Sequence, residues 1–276
     1  MAIITISRQT GSLGDEIAQA VAEKLGYEYI EKSQISKVLS GLGFSLTDID
    51  KYDEKKPSIW QSLTMQKELL TSLFRAAAYE LASRDNVVIV GRGGQVILKD
   101  ISGVLHVRIM APNTTRISRL MVQDKCEEKT AERIMRQNDH DSSGYLSTYF
   151  GTNWDYSGLY DLVINTRAMA LDESVELIAC AVNADRIKNS PRVSETLYDL
   201  ALSHKGKAAL LGVSKGMVWV NLTVEKRIAT LSGEVDSTAL KHNAEKTVFS
   251  IKDIKSVDNQ ITVRDSKTRT ALYWQS

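Results

Sequence analysis

Ile3-Ile4-Thr5-Ile6-Ser7-Arg8-Gln9-Thr10-Gly11-Ser12-Leu13-Gly14-Asp15-Glu16-Ile17-Ala18 opens with an apolar run, breaks into a turn with two glycines, and resumes at helical spacing. Ile3 to Ile6 predicts a strand, and Ile17, Val21 and Leu25 mark one face of a helix that Gly26 ends. Strand, glycine loop and helix make a frame for anions, because the first amides of a helix lack intrahelical acceptors and sit at the positive end of its dipole. The loop residues that frame would offer to a polyphosphate are Thr10, Gly11, Ser12, Leu13, Gly14, Asp15 and Glu16. The common phosphate loop reads G-x-x-x-x-G-K-[ST]. With Gly14 as its second glycine, Gln9 stands at the first glycine, Asp15 at the lysine and Glu16 at the Ser/Thr position. Two carboxylates there repel a triphosphate unless Mg²⁺ or nearby arginines screen them. The residues alone leave two readings open, a phosphate cradle and an ordinary tight β–α turn.

Outward from this stretch, apolar β-branched runs recur. Asn86 to Val90 stops at Gly91, Val104 to Met110 stops at Ala111-Pro112, and Leu162 to Ile164 stops at Asn165-Thr166. Continuous runs of this kind suit strands buried on both faces of a parallel sheet. Helical patterns lie between them: Leu63, Leu70, Phe74, Ala77 and Leu81; Ile117, Leu120 and Met121; and Leu171 to Val182, with Asp172 and Glu173 at the dipole's positive end. The alternation predicts an α/β fold of three layers around a parallel sheet. Near Asn189-Ser190-Pro191 the pattern changes to α-β-β-α-β: a helix from Val193, alternation through Val218 to Val224, a strand from Ile228 to Leu231, a helix Thr238 to Phe249, and a short strand at Ile261 and Val263. Residues 190–276 carry net positive charge and the rest net negative charge. These shifts place a boundary near residue 190, dividing the chain into 1–189 and a small α+β unit, 190–276.

A length of 276 residues, a net charge of +1 and 43% hydrophobic residues describe an ordinary globular chain. They give no global basis for binding a nucleic-acid polymer or a membrane. Cys126 and Cys180 lie far apart without metal-ligand spacing and read as reduced thiols; with no leader pattern at Met1-Ala2-Ile3, a cytoplasmic location is expected. No His/Cys/Asp cluster has metal-ligand spacing.

Ile6-Ser7-Arg8-Gln9-Thr10-Gly11-Ser12-Leu13-Gly14-Asp15-Glu16, followed by Ala22-Glu23-Lys24-Leu25-Gly26-Tyr27, resembles the opening of the cytidylate kinase-like family, P-loop relatives of the nucleoside monophosphate kinases. The resemblance continues through Val90-Gly91-Arg92-Gly93-Gly94, Ala111-Pro112 with Arg116 and Arg119, Tyr145, Tyr149, Gly151 and Trp154, and Tyr160 to Thr166, spanning about residues 1–183. It implies a P-loop fold and transfer of a phosphoryl group from ATP, with Mg²⁺, to a nucleoside monophosphate of cytidylate type. Such transfer needs positioning and positive charge rather than covalent catalysis. The resemblance therefore directs attention to arginines: Arg8, Arg116, Arg133 and Arg136 as catalytic cations, and Arg92, Gly93 and Arg119 as acceptor-binding residues. Arg133 and Arg136 precede Asn138-Asp139-His140-Asp141, where the family has its lid, and Ser142 stands where relatives have an arginine. His140 reads as a lid-surface residue, and His106, His204 and His242 as residues without a catalytic partner.

Val220 to Val224, Ile228 to Val235 and Ile254 to Val263 resemble a BON domain. The resemblance implies a binding or docking module, for a ligand or a phospholipid surface, with packing or self-association into a homo-oligomer as the plainer role. Arg227 stands where a turn glycine is common, so a longer or bulged hairpin is expected. Three functions follow for the whole chain: a nucleotide kinase, a nucleotide-binding regulator without turnover that signals through its C-terminal unit, and an interaction scaffold.

Overall fold

The computed structural model describes residues 2–41, 60–191, 193–213 and 215–264. Five parallel strands form one sheet: β1 (Ile3–Arg8), β2 (Glu28–Ile30), β3 (Val87–Val90), β4 (Val104–Met110) and β5 (Leu162–Asn165), in the order β2-β3-β1-β4-β5. β1 lies at the centre, with Ile4 and Ile6 wholly buried. Their face packs on Ile17 and Val21 of α1 (Gly14–Leu25) and on Val175 and Ile178 of α7 (Leu171–Val182). Alternation along β1 and β4 turns Thr5, Ser7, His106 and Arg108 to the opposite face, and all four are buried. Gly26 ends α1 in the left-handed region at φ 68°, with its N–H turned back to Glu23. Glu173 accepts from the Ala170 N–H at 2.8 Å and caps the start of α7.

The remaining helices are α2 (Lys32–Gly41), α3 (Trp60–Ala82), α4 (Gly94–Ile97), α5 (Asn113–Gln123), α6 (Glu128–Phe150), α8 (Asp185–Lys188), α9 (Ser194–Val213) and α10 (Thr238–Phe249). The chain leaves β1 for the edge strand β2, returns through β3 beside β1, and crosses to β4 on β1's other side. Open α/β sheets bind ligands in the crevice at such a reversal, beyond the carboxyl ends of the strands.

Contacts divide the chain into two units: Met1–Lys37 with Leu81–Ser194, and Val38–Glu80 with Glu195–Ser276. The segment Val38–Glu80, which periodicity alone had left with the sheet, thus groups with the C-terminal residues. Within that second unit, Lys205 and Lys207 of α9 pair with Glu80 and Glu68 of α3, and His204 stacks on Tyr79 with ring centroids 5.6 Å apart. Its sheet contains β6 (Val220–Glu225), β7 (Ile228–Val235), β8 (Ser256–Asn259) and β9 (Thr262–Val263). β6 and β7 are antiparallel, whereas β8 and β9 run parallel to β7. The α-β-β-α-β order matches the sequence reading, except that the closing strand divides around buried Ile261.

The expected longer or bulged hairpin is not found. Glu225 pairs with Ile228 across a two-residue turn in which Lys226 (φ 50°) and Arg227 (φ 66°) are both left-handed. The Asp199 carboxylate accepts from both of their N–H groups, at 2.6 and 3.1 Å, and holds the turn where glycine would otherwise be favoured. No helix among the described residues is long and apolar enough to cross a membrane.

Candidate functional site

The first turn of α1 starts without a side-chain cap. Its N-cap position is Leu13, left-handed at φ 65°, with no side-chain acceptor for the helix amides. The Ile17 N–H is the first to bond back, to the Leu13 carbonyl at 3.0 Å. The amides of Gly14, Asp15 and Glu16 are therefore the donors that a helix start leaves open. Gly11 (φ 78°) is held from below: a Cβ there would lie 2.9 Å from the Arg116 carbonyl oxygen and 3.2 Å from the Arg116 Cβ.

Gly14 is needed for a different reason. A Cβ there would collide with the Arg8 Cβ and lie 2.6 Å from its Cγ. Arg8 leaves the end of β1, runs across Gly14, donates from Nε to Asp15 Oδ1 at 2.9 Å, and brings Nη1 to 3.2 Å from where a Gly91 Cβ would stand. One guanidinium thus lies at both turns that edge the crevice. Its side chain is about one third exposed (34%).

The second turn, Gly91-Arg92-Gly93, has three consecutive residues at positive φ, 68°, 52° and 74°. Arg92 alone carries a side chain there, in a conformation costing a non-glycine residue about 1–2 kcal/mol. Gly93 is required because Phe150 lies over it; a Cβ would come within 2.8 Å of the ring. The Arg92 carbonyl accepts from the Tyr145 hydroxyl at 3.4 Å.

Ser12, Arg116 and Arg119 lie in or against the loop, whereas Arg133 and Arg136 lie out on α6. Ser12 is fully buried and donates its hydroxyl to the Gln9 carbonyl at 2.7 Å, so it braces the loop and has no side-chain donor for a phosphate. Arg116, 3% exposed, donates from Nη1 to the Thr10 carbonyl at 3.1 Å and to Asp139 Oδ2 at 2.7 Å, and from Nη2 to Asn113 Oδ1 at 2.9 Å. Arg119 donates from Nη1 to the Thr166 hydroxyl and from Nη2 to the Thr166 carbonyl, both at 2.8 Å. These two arginines support the loop; the Nη nitrogens of both are engaged by protein oxygens, while Arg116 Nε is buried without a partner among the described residues. Arg133 and Arg136 are exposed on α6, and Arg136 pairs with Glu132 one turn away at 2.6 Å. His140 is exposed on the same helix.

A cluster that the periodicity does not reveal lies on the opposite face of β1. Arg108, 4% exposed, donates from Nη1 to the Ser7 and Tyr160 hydroxyls (3.2 and 3.3 Å) and from Nη2 to Asp155 Oδ1 (2.7 Å). Its guanidinium carbon sits 3.9 Å from the Trp154 ring centroid, and the Trp154 indole N–H donates to Ser7 at 2.9 Å. Arg108, with His106 two residues before it, inside the apolar run Val104–Met110 was the available signal. Nearby, His106 Nδ1 lies 2.7 Å from the Thr5 hydroxyl; burial lowers its pKa, so the ring is neutral near pH 7.

The backbone of the loop suits a polyphosphate: open first-turn amides, an uncapped helix, and a glycine whose missing Cβ admits Arg8. The side chains differ from the common loop: Asp15 stands at the lysine position, and Arg8 of β1 lies across Gly14 beside it. Among the described residues, no group of three His, Cys, Asp or Glu is arranged to hold a metal ion by itself.

Residues 3–168 match the family model described as "Cytidylate kinase-like family", and residues 213–265 match the BON domain. The chain is 28% identical over 189 residues to a cytidylate kinase of Sulfurisphaera tokodaii, covering 68% of this chain and 98% of that protein. It is 26% identical over 187 residues to a cytidylate kinase of Archaeoglobus fulgidus, covering 67% and 97%. A crystal structure of an uncharacterized protein from Eubacterium ventriosum shares the fold, with a TM-score of 0.51 and 22% identity over 67% of this chain and 99% of that one. With one frame running from β1 through the turn at Arg92 to β5, and a family match along its length, the chain belongs to the cytidylate kinase-like family and carries a C-terminal BON domain.

Proposed function

We propose that this protein transfers a phosphoryl group from ATP to a nucleoside monophosphate, with cytidylate the leading acceptor. The observation that carries the reading is Arg8, whose side chain crosses Gly14 and reaches Gly91, so that one cation serves both edges of the crevice. ATP supplies the transferred group and Mg²⁺ the neutralising charge. The chain's part is positional and electrostatic. Amides of Gly14, Asp15 and Glu16 receive the phosphates, Arg8 stands in for the loop lysine, and Asp15, released from Arg8, helps to hold the metal. Arg92, half-buried in the left-handed turn between Gly91 and Gly93, receives the acceptor's phosphate.

The acceptor assignment draws support from the named relatives, the cytidylate kinases of the two archaea. The BON domain acts in this reading as a docking module, for a ligand, a phospholipid surface or a second copy. A regulator without turnover is the second reading. It is favoured by Asp15 pairing with Arg8 at the loop mouth and by Ser142 at the lid position where relatives have an arginine.

A coupled ADP assay with CMP, dCMP, UMP and AMP, run beside nucleotide-induced melting shifts, separates the readings. The kinase gives ADP with one acceptor preferred. A melting shift without ADP selects the regulator, because ligand binding stabilises the folded state whether or not chemistry follows. Neither signal removes the nucleotide reading altogether.

A further inference from the structure

We infer that Asp139 and Arg116 form a positioning pair that sets the phosphate loop from helix α6; the nucleotide arm of its test rests on the reading above. The pair closes a ring around one loop residue. The Thr10 N–H donates to Asp139 Oδ1 at 3.2 Å, Asp139 Oδ2 accepts from Arg116 Nη1 at 2.7 Å, and the same nitrogen donates to the Thr10 carbonyl at 3.1 Å. Both backbone polar atoms of Thr10 are thereby fixed by side chains, one from α5 and one from α6.

Thr10 directly precedes Gly11, whose φ of 78° turns the chain towards the open amides of Gly14, Asp15 and Glu16. Orienting Thr10 therefore orients every donor that follows. Gly11 itself rests on the Arg116 backbone, so α5 supports two successive loop residues. Arg116 is almost wholly buried and the Asp139 side chain is 21% exposed. A buried ion pair adds little stability over an apolar pair of similar volume, so its energetics alone do not account for its presence. Its distinctive property is direction: a carboxylate and a guanidinium fix a peptide's donor and acceptor in ways that methyl groups cannot.

The same helix carries Tyr145 and Phe150 onto the Arg92 turn, so α6 meets both turns that flank the crevice. Asp139 is a positioning residue and makes no claim on the phosphates. Removing one partner alone strands a buried charge, so the informative variant removes both.

The experiment compares wild type, Asp139→Asn and the double variant R116M/D139L by amide hydrogen exchange of residues 8–14 and by calorimetric titration with Mg–ATP. The double variant is expected to keep its melting temperature within about 5 °C of wild type. Its loop amides should exchange about tenfold faster with β1 and β4 unchanged, and its Mg–ATP affinity should fall about tenfold. Asp139→Asn should fall between. Unchanged loop exchange with unchanged affinity overturns the inference. So does a general rise in exchange across the sheet with a collapsed melting temperature, which marks a merely structural pair. If wild type binds no Mg–ATP, the nucleotide reading fails. The pair is then judged on exchange alone: loop-specific acceleration supports it and its absence overturns it.

Discussion

Arg92 sits between two glycines at a φ of 52°, where a glycine would be at ease. That conformation costs folding energy, and in the proposed function contact with the acceptor's phosphate would offset it. Arg92→Gly is therefore expected to leave the melting temperature unchanged or slightly higher while raising the acceptor KM about tenfold or more, the worth of a charge-assisted contact. A fall in melting temperature with unchanged KM would make Arg92 a structural residue. Gly14→Ala tests the other turn: its Cβ would overlap the Arg8 side chain, so nucleotide affinity should drop together with a destabilisation of about 1–3 kcal/mol, read by denaturant melts. Titration adds a sign that can be checked. Burial, helped by Arg75 and Lys207, lowers the His204 pKa to about 4 from 6.5. The unfolded chain therefore binds the proton first as pH falls, so this residue's contribution is full above pH 6.5 and is lost progressively towards pH 4. His204→Phe, which keeps a ring against Tyr79, should reduce the slope of stability against pH across that window by up to about 1.4 kcal/mol per unit; an unchanged slope contradicts the assignment.

Among the elements, the hairpin β6–β7 is the clearest test of local physics. Lys226 and Arg227 both occupy the left-handed region, held by the Asp199 carboxylate. Replacing them with Asn-Gly should raise stability by about 1 kcal/mol, read from the melt of the second unit, whereas no gain would show that Asp199 already offsets the strain. The elements most legible in the sequence were those with a single strong cause. Apolar β-branched runs gave β1, β3, β4 and β5; Asp172 and Glu173 marked the start of α7; Gly26 marked the end of α1. β2 escaped because Glu28-Tyr29-Ile30 is a three-residue edge strand with no apolar run to show. The tight hairpin escaped because its stabilising partner, Asp199, is 27 residues away from Lys226. The site was legible in part for the same reason. Gly11, Gly14, Arg8 and Arg92 are local to their turns, while the roles of Arg116 and Arg119 depend on carbonyls more than 100 residues away, at Thr10 and Gly11. The Arg108 cluster draws on Ser7, Trp154 and Tyr160, which only the fold assembles.

At the scale of the molecule, the contact units interleave along the chain, since Val38–Glu80 groups with Glu195–Ser276. The apolar side of α3, including Leu70, Leu73 and Phe74, is buried in the full chain. A fragment of residues 1–189 should therefore bind a hydrophobic dye and melt less cooperatively than the whole, and a fragment that melts like the full protein would contradict this grouping. Within the sheet unit, the proposed phosphate site rests on first-turn amides at Gly14, aided by an arginine delivered from β1, holding a polyphosphate without the loop lysine. Calorimetric titration of a non-hydrolysable ATP analogue with Mg²⁺ into wild type and Arg8→Ala, side by side, tests it most directly. Saturable binding by wild type, weakened about tenfold or more in the variant, is the predicted result; no binding by wild type at millimolar analogue, or equal affinity in the two proteins, contradicts it.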